Sequence, residues 1–265
     1  MEMFNLIKMN LYRMSHAVST KVLAIVAVAI SILGFGLMKI ILDDPFHIFG
    51  DIEGLTLAGS ASLSSSVTQL LASGMLIVIS IFVVIFSNAE AKCGFNKNII
   101  GITKSKWKHA VARWISAMIG VVIISGIAFI VYVGLQALFL NSFEVDSVSM
   151  FFRNLGLTYL CITAYSAVFF FFTTLFKSSA GGIVTAMIMV TGVLTLVATL
   201  IDLGFTKIFT NAAHVPSEFI LSSVVPSFAA DMAGTNVLKL VVITVCYIVV
   251  AMGASMFLEQ RRDVA

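Results

Sequence analysis

The sequence predicts an all-α, polytopic membrane protein with six transmembrane helices, and three observations carry that prediction. Of the 265 residues, 60% are hydrophobic and 11% charged, against roughly half and a quarter in a soluble domain. Six runs reach the roughly 20 apolar residues that a helix needs to cross a hydrocarbon core of about 30 Å. Of the 16 basic residues, only Lys39, Arg153, Lys207 and Lys239 fall in or beside segments assigned to the outer side. The rest mark the cytoplasmic side by the positive-inside rule. Residues 1–265 therefore read as a single transmembrane domain, with no soluble module.

The elements follow in order along the chain. Over residues 1–21, Phe4, Ile7, Leu11 and Met14 recur at three- and four-residue steps among Asn5, Lys8, Tyr12 and Arg13. That pattern predicts an amphipathic helix in the cytoplasmic interface, with a short solvated arm as the alternative. The first span, Val22 to Leu42, is longer than a signal-peptide core and lacks a small-x-small cleavage site, so it is expected to be retained. Asp43 to Ser66 is loop chemistry. Its Asp43, His47, Asp51 and Glu53 lack a recognised ligand spacing, so no metal is expected there. The second span runs from Val67 to Ser87. The 88–113 segment then carries Lys92, Lys97, Lys104, Lys106, Lys108 and Arg113 against one acid, Glu90, as a charged cytoplasmic loop.

Trp114 to Leu140, Leu155 to Phe176, Gly181 to Ile201 and Val237 to Leu258 are the remaining spans. Val121 to Val133 and Val184 to Val197 are apolar all round, which fits buried or lipid-facing helices rather than alternating barrel strands. Segment 202–236 mixes Phe205, Ile208, Phe209 and Phe219 with polar residues and is broken near Pro216 and Pro226. It reads either as one or two re-entrant helices or as a loop packed over the outer ends of the spans. Six spans place both the N-terminus and the C-terminus in the cytoplasm of a multi-pass cell-membrane protein. Cys93, Cys161 and Cys246 fall in a cytoplasmic loop and two spans, where no disulfide framework is expected.

The missing chemistry narrows the function. The middles of the six predicted spans hold no ionisable residue, which disfavours an ion-coupled pump. Lys39, Arg113, Asp202 and Lys239 lie near predicted helix ends, where snorkelling accounts for them. There is no HExxH, no GxSxG and no phosphate-binding loop, and Gly181-Gly182 lacks the lysine and strand that such a loop needs. No catalytic centre, metal or cofactor is expected on this chain. The net charge of +3 is explained by its sidedness, so no nucleic-acid partner is expected. The fourth span's Thr158, Tyr159, Thr163, Tyr165, Ser166, Thr173 and Thr174 suit helix packing better than a substrate route. The scattered methionines form no ligand ladder.

After the second span, Phe86-Ser-Asn-Ala-Glu90-Ala-Lys-Cys-Gly94-Phe-Asn-Lys97-Asn98 is followed by Ser105-Lys106 and a span beginning near Arg113. With the basic N-terminal helix, the six spans and the semi-apolar last outer loop, this E-x-x-x-G-x-x-K-N-like stretch resembles the permease subunit of a type-2 ABC (ATP-binding cassette) transporter, of the bacterial exporter kind. The resemblance implies that Glu90 to Lys108 forms a coupling helix. Glu90, Gly94, Lys97, Asn98, Lys104 and Lys106 would then meet a cytosolic ABC ATPase subunit, and segment 202–236 would form the re-entrant helices. A plain positive-inside anchor with Gly94 as an ordinary turn is the alternative.

On that resemblance the chain is expected to form an export pathway as a homo- or heterodimer with a second permease subunit, surrounded by membrane lipid. ATP and Mg would bind the partner ATPase. The cargo classes it suggests are antimicrobial peptides, in export or self-immunity, hydrophobic drugs and lipid-linked glycans. The rival readings are an ATP-independent secondary transporter or channel, and a non-transport membrane assembly subunit.

Overall fold

A computed structural model describes residues 3–43, 70–71, 74–92, 106–139, 148–208, 219–221 and 234–261. Among them the chain is helical throughout apart from short turns. We number the helices α1 (Met3–His16), α2 (Val18–Asp43), α3 (Gly74–Lys92), α4 (Lys106–Phe139), α5 (Val148–Phe176), α6 (Ser179–Val190), α7 (Val193–Ile208) and α8 (Gly234–Arg261). Four are long and apolar enough to cross a membrane: Val18–Ile40, Trp107–Phe139, Phe151–Phe176 and Val237–Arg261. The bent pair α6 and α7 is a fifth candidate, and Gly74–Ala89 is a shorter apolar helix. The chain is thus a multi-pass, all-helical membrane protein with four to five candidate spans among the described residues; the second of the six predicted spans falls on the shorter apolar helix α3.

Contacts between the helices fix their directions. Leu6 of α1 packs on Ala112 of α4, and a Cβ placed on Gly120 would stand 2.6 Å from Met14 Sδ. Equal steps on both helices mean that α1 runs lengthwise and parallel beside the start of α4. Farther along, Phe35 of α2 meets Tyr132 of α4 at 6.5 Å between ring centroids, and Lys39 Nζ lies 5.2 Å from the Phe139 ring. So α2 and α4 run the same way. Against α4, helix α5 descends: Phe129 meets Phe151, Ser125 Oγ lies 2.8 Å from Tyr159 Oη, and Arg113 lies over Phe170. Helix α8 returns to the α1 end, where Glu259 pairs with Arg113. The helix carrying the N-terminal residues and the end of the last helix therefore share one end of the bundle.

Helices α3 and α5 form the centre. Met75, Ile79, Phe82, Val83 and Val84 of α3 and Ala164, Phe169 and Phe170 of α5 are fully or almost fully buried, whereas α2 and α8 leave Ile25, Leu33, Leu238 and Val250 mostly exposed to what would be lipid. Glycines permit the closest approaches. A Cβ on Gly120 would be 2.5 Å from Phe82 Cζ, and one on Gly182 would be 2.8 Å from Val84 Cγ1 and 3.0 Å from Thr173 Oγ1. Hydroxyls on α5 are satisfied within the bundle: Thr158, Thr163, Thr173 and Thr174 donate to the carbonyl four residues back. Ser166 donates to Thr163 O and to Met118 Sδ. These contacts favour the packing reading of the fourth span, since hydroxyls bonded in this way join helices or satisfy themselves.

Three expectations are revised. The predicted fifth span is broken rather than continuous: α6 ends at Val190 with Thr191 as its C-cap, Gly192 adopts φ +78, and α7 departs at 54°. A residue in the left-handed region suits glycine and ends a helix. At 12 residues, α6 is about 18 Å long, short of a bilayer by itself. Second, α7 continues to Ile208, so the outer segment expected from Asp202 starts later; residues 209–218 and 222–233, where re-entrant helices were expected, lie outside the described residues. Third, α1 is a helix as expected, but the face it buries is Leu6, Asn10 and Met14. Of the predicted apolar stripe, Met14 is buried and Ile7 and Leu11 are partly buried, whereas Phe4 is 72% exposed, so the buried face is shifted toward Leu6 and Asn10.

Candidate functional site

The candidate site is the end of the bundle that carries α1. Four further elements converge there: the last turns of α3, the first turns of α4 and the ends of α5 and α8. Lys8, Lys21, Lys108, Lys177 and Arg261 are placed at this end, together with Arg13 and Arg113. Glu259 is the acid the geometry brings in. Lys39, Arg153 and Lys239 lie at the other end. The basic bias read from the sequence is thus a property of one face of the folded bundle, where a surface facing acidic lipids or an acidic protein partner would be attracted.

Arg113 anchors this end. Its side chain is 5% exposed, and one guanidinium nitrogen donates to Glu259 Oε1, whose side chain is 18% exposed. The same guanidinium lies 4.9 Å from the Phe170 ring centroid, a distance at which cation and ring attract. One side chain therefore ties α4 to α8 and to α5. Snorkelling, the expectation for Arg113, is corrected: α4 begins eight residues before the predicted Trp114 start, which carries Arg113 inside the packed helix, where an ion pair rather than water balances its charge. Glu259 was not singled out in the sequence, because it falls just beyond the predicted end of the last span.

Two further contacts complete the end. Arg13 of α1 lies 5.5 Å from the Phe86 ring of α3. Asn88 Nδ2 donates to Ser179 Oγ at 2.8 Å, joining the last turns of α3 to the turn between α5 and α6. That turn contains Lys177, whose φ is 52 and whose N–H donates to Thr173 O at 3.0 Å. Neither Asn88 nor Lys177 belonged to the expected coupling set; a hydrophilic Asn at the end of an apolar run was the available signal.

Of the expected coupling residues, Glu90 lies in the last turn of α3 and Lys106 opens α4, and their side chains are outside what is described. Gly94, Lys97, Asn98 and Lys104 lie outside the described residues. Among the cysteines, Cys161 is a buried free thiol and Cys246 an exposed one; Cys93 is outside the described residues. Among the described residues, no three of His, Cys, Asp and Glu are grouped as a metal site. No protein-family model matches the chain, and no curated protein matches it.

Proposed function

We propose that the chain is the membrane-embedded permease subunit of an ATP-driven exporter of the type-2 ABC kind. It crosses the cell membrane six times, through α2, α3, α4, α5, the α6–α7 pair and α8, with both termini in the cytoplasm. The observation that carries the reading is the placement of the charged stretch between Lys92 and Lys106: it leaves and re-enters at the basic end of the bundle. It is flanked by α3, a helix at the centre of the bundle, and by α4, whose first turns pack on α1 and are tied through Arg113 to α5 and α8. A push on such a stretch would move packed helices as a body rather than bend a loose loop.

In this reading a cytosolic ATPase subunit binds ATP and Mg and docks on Glu90 to Lys108. Two permease subunits, identical or sister chains, enclose the pathway, because one small bundle with a packed centre leaves no wide route of its own. The cargo is an amphipathic molecule, with an antimicrobial peptide first and a hydrophobic drug second. The test is efflux of a cationic amphipathic peptide and of a hydrophobic dye from cells with and without the gene, followed by vesicles that contain the chain with or without its ATPase. Export that needs both the ATPase and ATP is expected. Robust transport by the chain alone, in vesicles free of ATPase, would overturn the proposal.

A further inference from the structure

Among the described residues Lys177 is the non-glycine residue with positive φ, at 52. L-residues adopt that region at a cost, and glycine or asparagine ordinarily fills it. The reason for the conformation is local: Lys177 closes α5 through its N–H to Thr173 O, and Ser178 then takes an extended conformation before α6 begins. Glycine would make the same turn with less strain, so the backbone does not call for lysine. Packing does not call for it either. The side chain is exposed, and no hydrogen bond or ion pair of its ammonium accounts for its presence among the described residues. A strained residue whose side chain does nothing for the fold is a candidate for a role outside it.

The position of the turn says what that role is. The Asn88–Ser179 hydrogen bond fixes it beside the end of α3, two residues from Glu90. The turn therefore lies beside the last turns of α3, at the basic end of the bundle. We infer that the turn at Lys177 is a second docking point for the ATPase subunit, at which the Lys177 ammonium pairs with a carboxylate on the partner; this rests on the function proposed above. A fixed left-handed backbone sets the direction of the Cα–Cβ bond, which suits a defined acidic side chain of a protein. An anionic lipid headgroup would be reached equally well by a lysine on a relaxed backbone.

The experiment uses the full chain in nanodiscs, of phosphatidylcholine alone or with phosphatidylglycerol, and measures affinity for the purified ATPase subunit at low and high salt. Lys177→Gly removes the charge and relieves the backbone. Its melting temperature should rise by a few degrees while affinity falls about fivefold at low salt, a loss that shrinks at high salt. Lys177→Arg should bind as the wild type does, and Lys177→Glu more weakly than Lys177→Gly. Wild-type affinity in Lys177→Gly would overturn the inference while leaving the proposed function standing, as would a loss confined to discs with phosphatidylglycerol, which would assign the side chain to lipid. Absence of ATPase binding by the wild-type chain would overturn both.

Discussion

Glu259→Leu tests whether the Arg113 pair holds the site end together. Two unit charges about 4 Å apart attract by about 1 kcal/mol in water and about 4 kcal/mol at an effective dielectric constant near 20. With side chains 5% and 18% exposed, the Arg113–Glu259 pair belongs near the second value, reduced by the water that reaches Glu259. Loss of the carboxylate strands a buried guanidinium beside Phe170, and the expected destabilisation is about 3 kcal/mol. Arg113→Leu should cost less, about 2 kcal/mol, because the more exposed Glu259 can rehydrate although the ring contact at 4.9 Å is lost. The double variant buries no charge at all. Replacing a buried pair by apolar side chains is often close to neutral, so it should lose only about 1 to 2 kcal/mol. The assay is reversible unfolding in mixed micelles for the wild type, the two single variants and the double variant. A coupling of at least about 2 kcal/mol is expected. If the double variant loses the sum of the single losses to within about 0.5 kcal/mol, the pair is not what joins α4 to α8.

Two further outcomes follow from the packing and the topology. In thermal unfolding, Gly120→Ala should destabilise by about 1 to 2 kcal/mol, because its Cβ would meet Phe82 Cζ at 2.5 Å and Met14 Sδ at 2.6 Å and overpacking outweighs the gain in helix propensity. Gly126→Ala, with nothing within 4 Å of its Cβ, should instead gain up to about 1 kcal/mol; equal shifts in both would refute the close approach at Gly120. Reporter fusions should read cytoplasmic at Lys104 and external at Ser64 and Ala212, and the reverse pattern would reject the orientation.

Helix class and the positions of α2, α4, α5 and α8 were legible because apolar runs of bilayer length have few alternatives to a helix. Their ends were less so: α4 and α5 each begin several residues before the predicted starts, since hydropathy marks where lipid begins and not where the helix does. The break in the fifth span had a local signal in Thr191-Gly192, overridden by the apolar residues on both sides. The buried face of α1 could be read only in part from periodicity: Met14 of the apolar stripe is buried and Ile7 and Leu11 are partly so, but packing on α4 adds Leu6 and Asn10 and leaves Phe4 exposed. The Arg113–Glu259 pair joins residues 146 apart in sequence, a contact that only the tertiary arrangement creates. Lys177 was legible as a basic residue between two apolar runs but not as a left-handed one.

The most direct measurement of the central claim is capture of a cytosolic ATPase by the tagged full chain from native membranes. The wild type should retain an ATPase with a phosphate-binding loop. Glu90→Ala, and a Gly-Ser replacement of Gly94 to Asn98, should retain at least about fivefold less while inserting into the membrane at wild-type levels. Capture unaffected by both changes, or no ATPase retained by the wild type, would contradict the account.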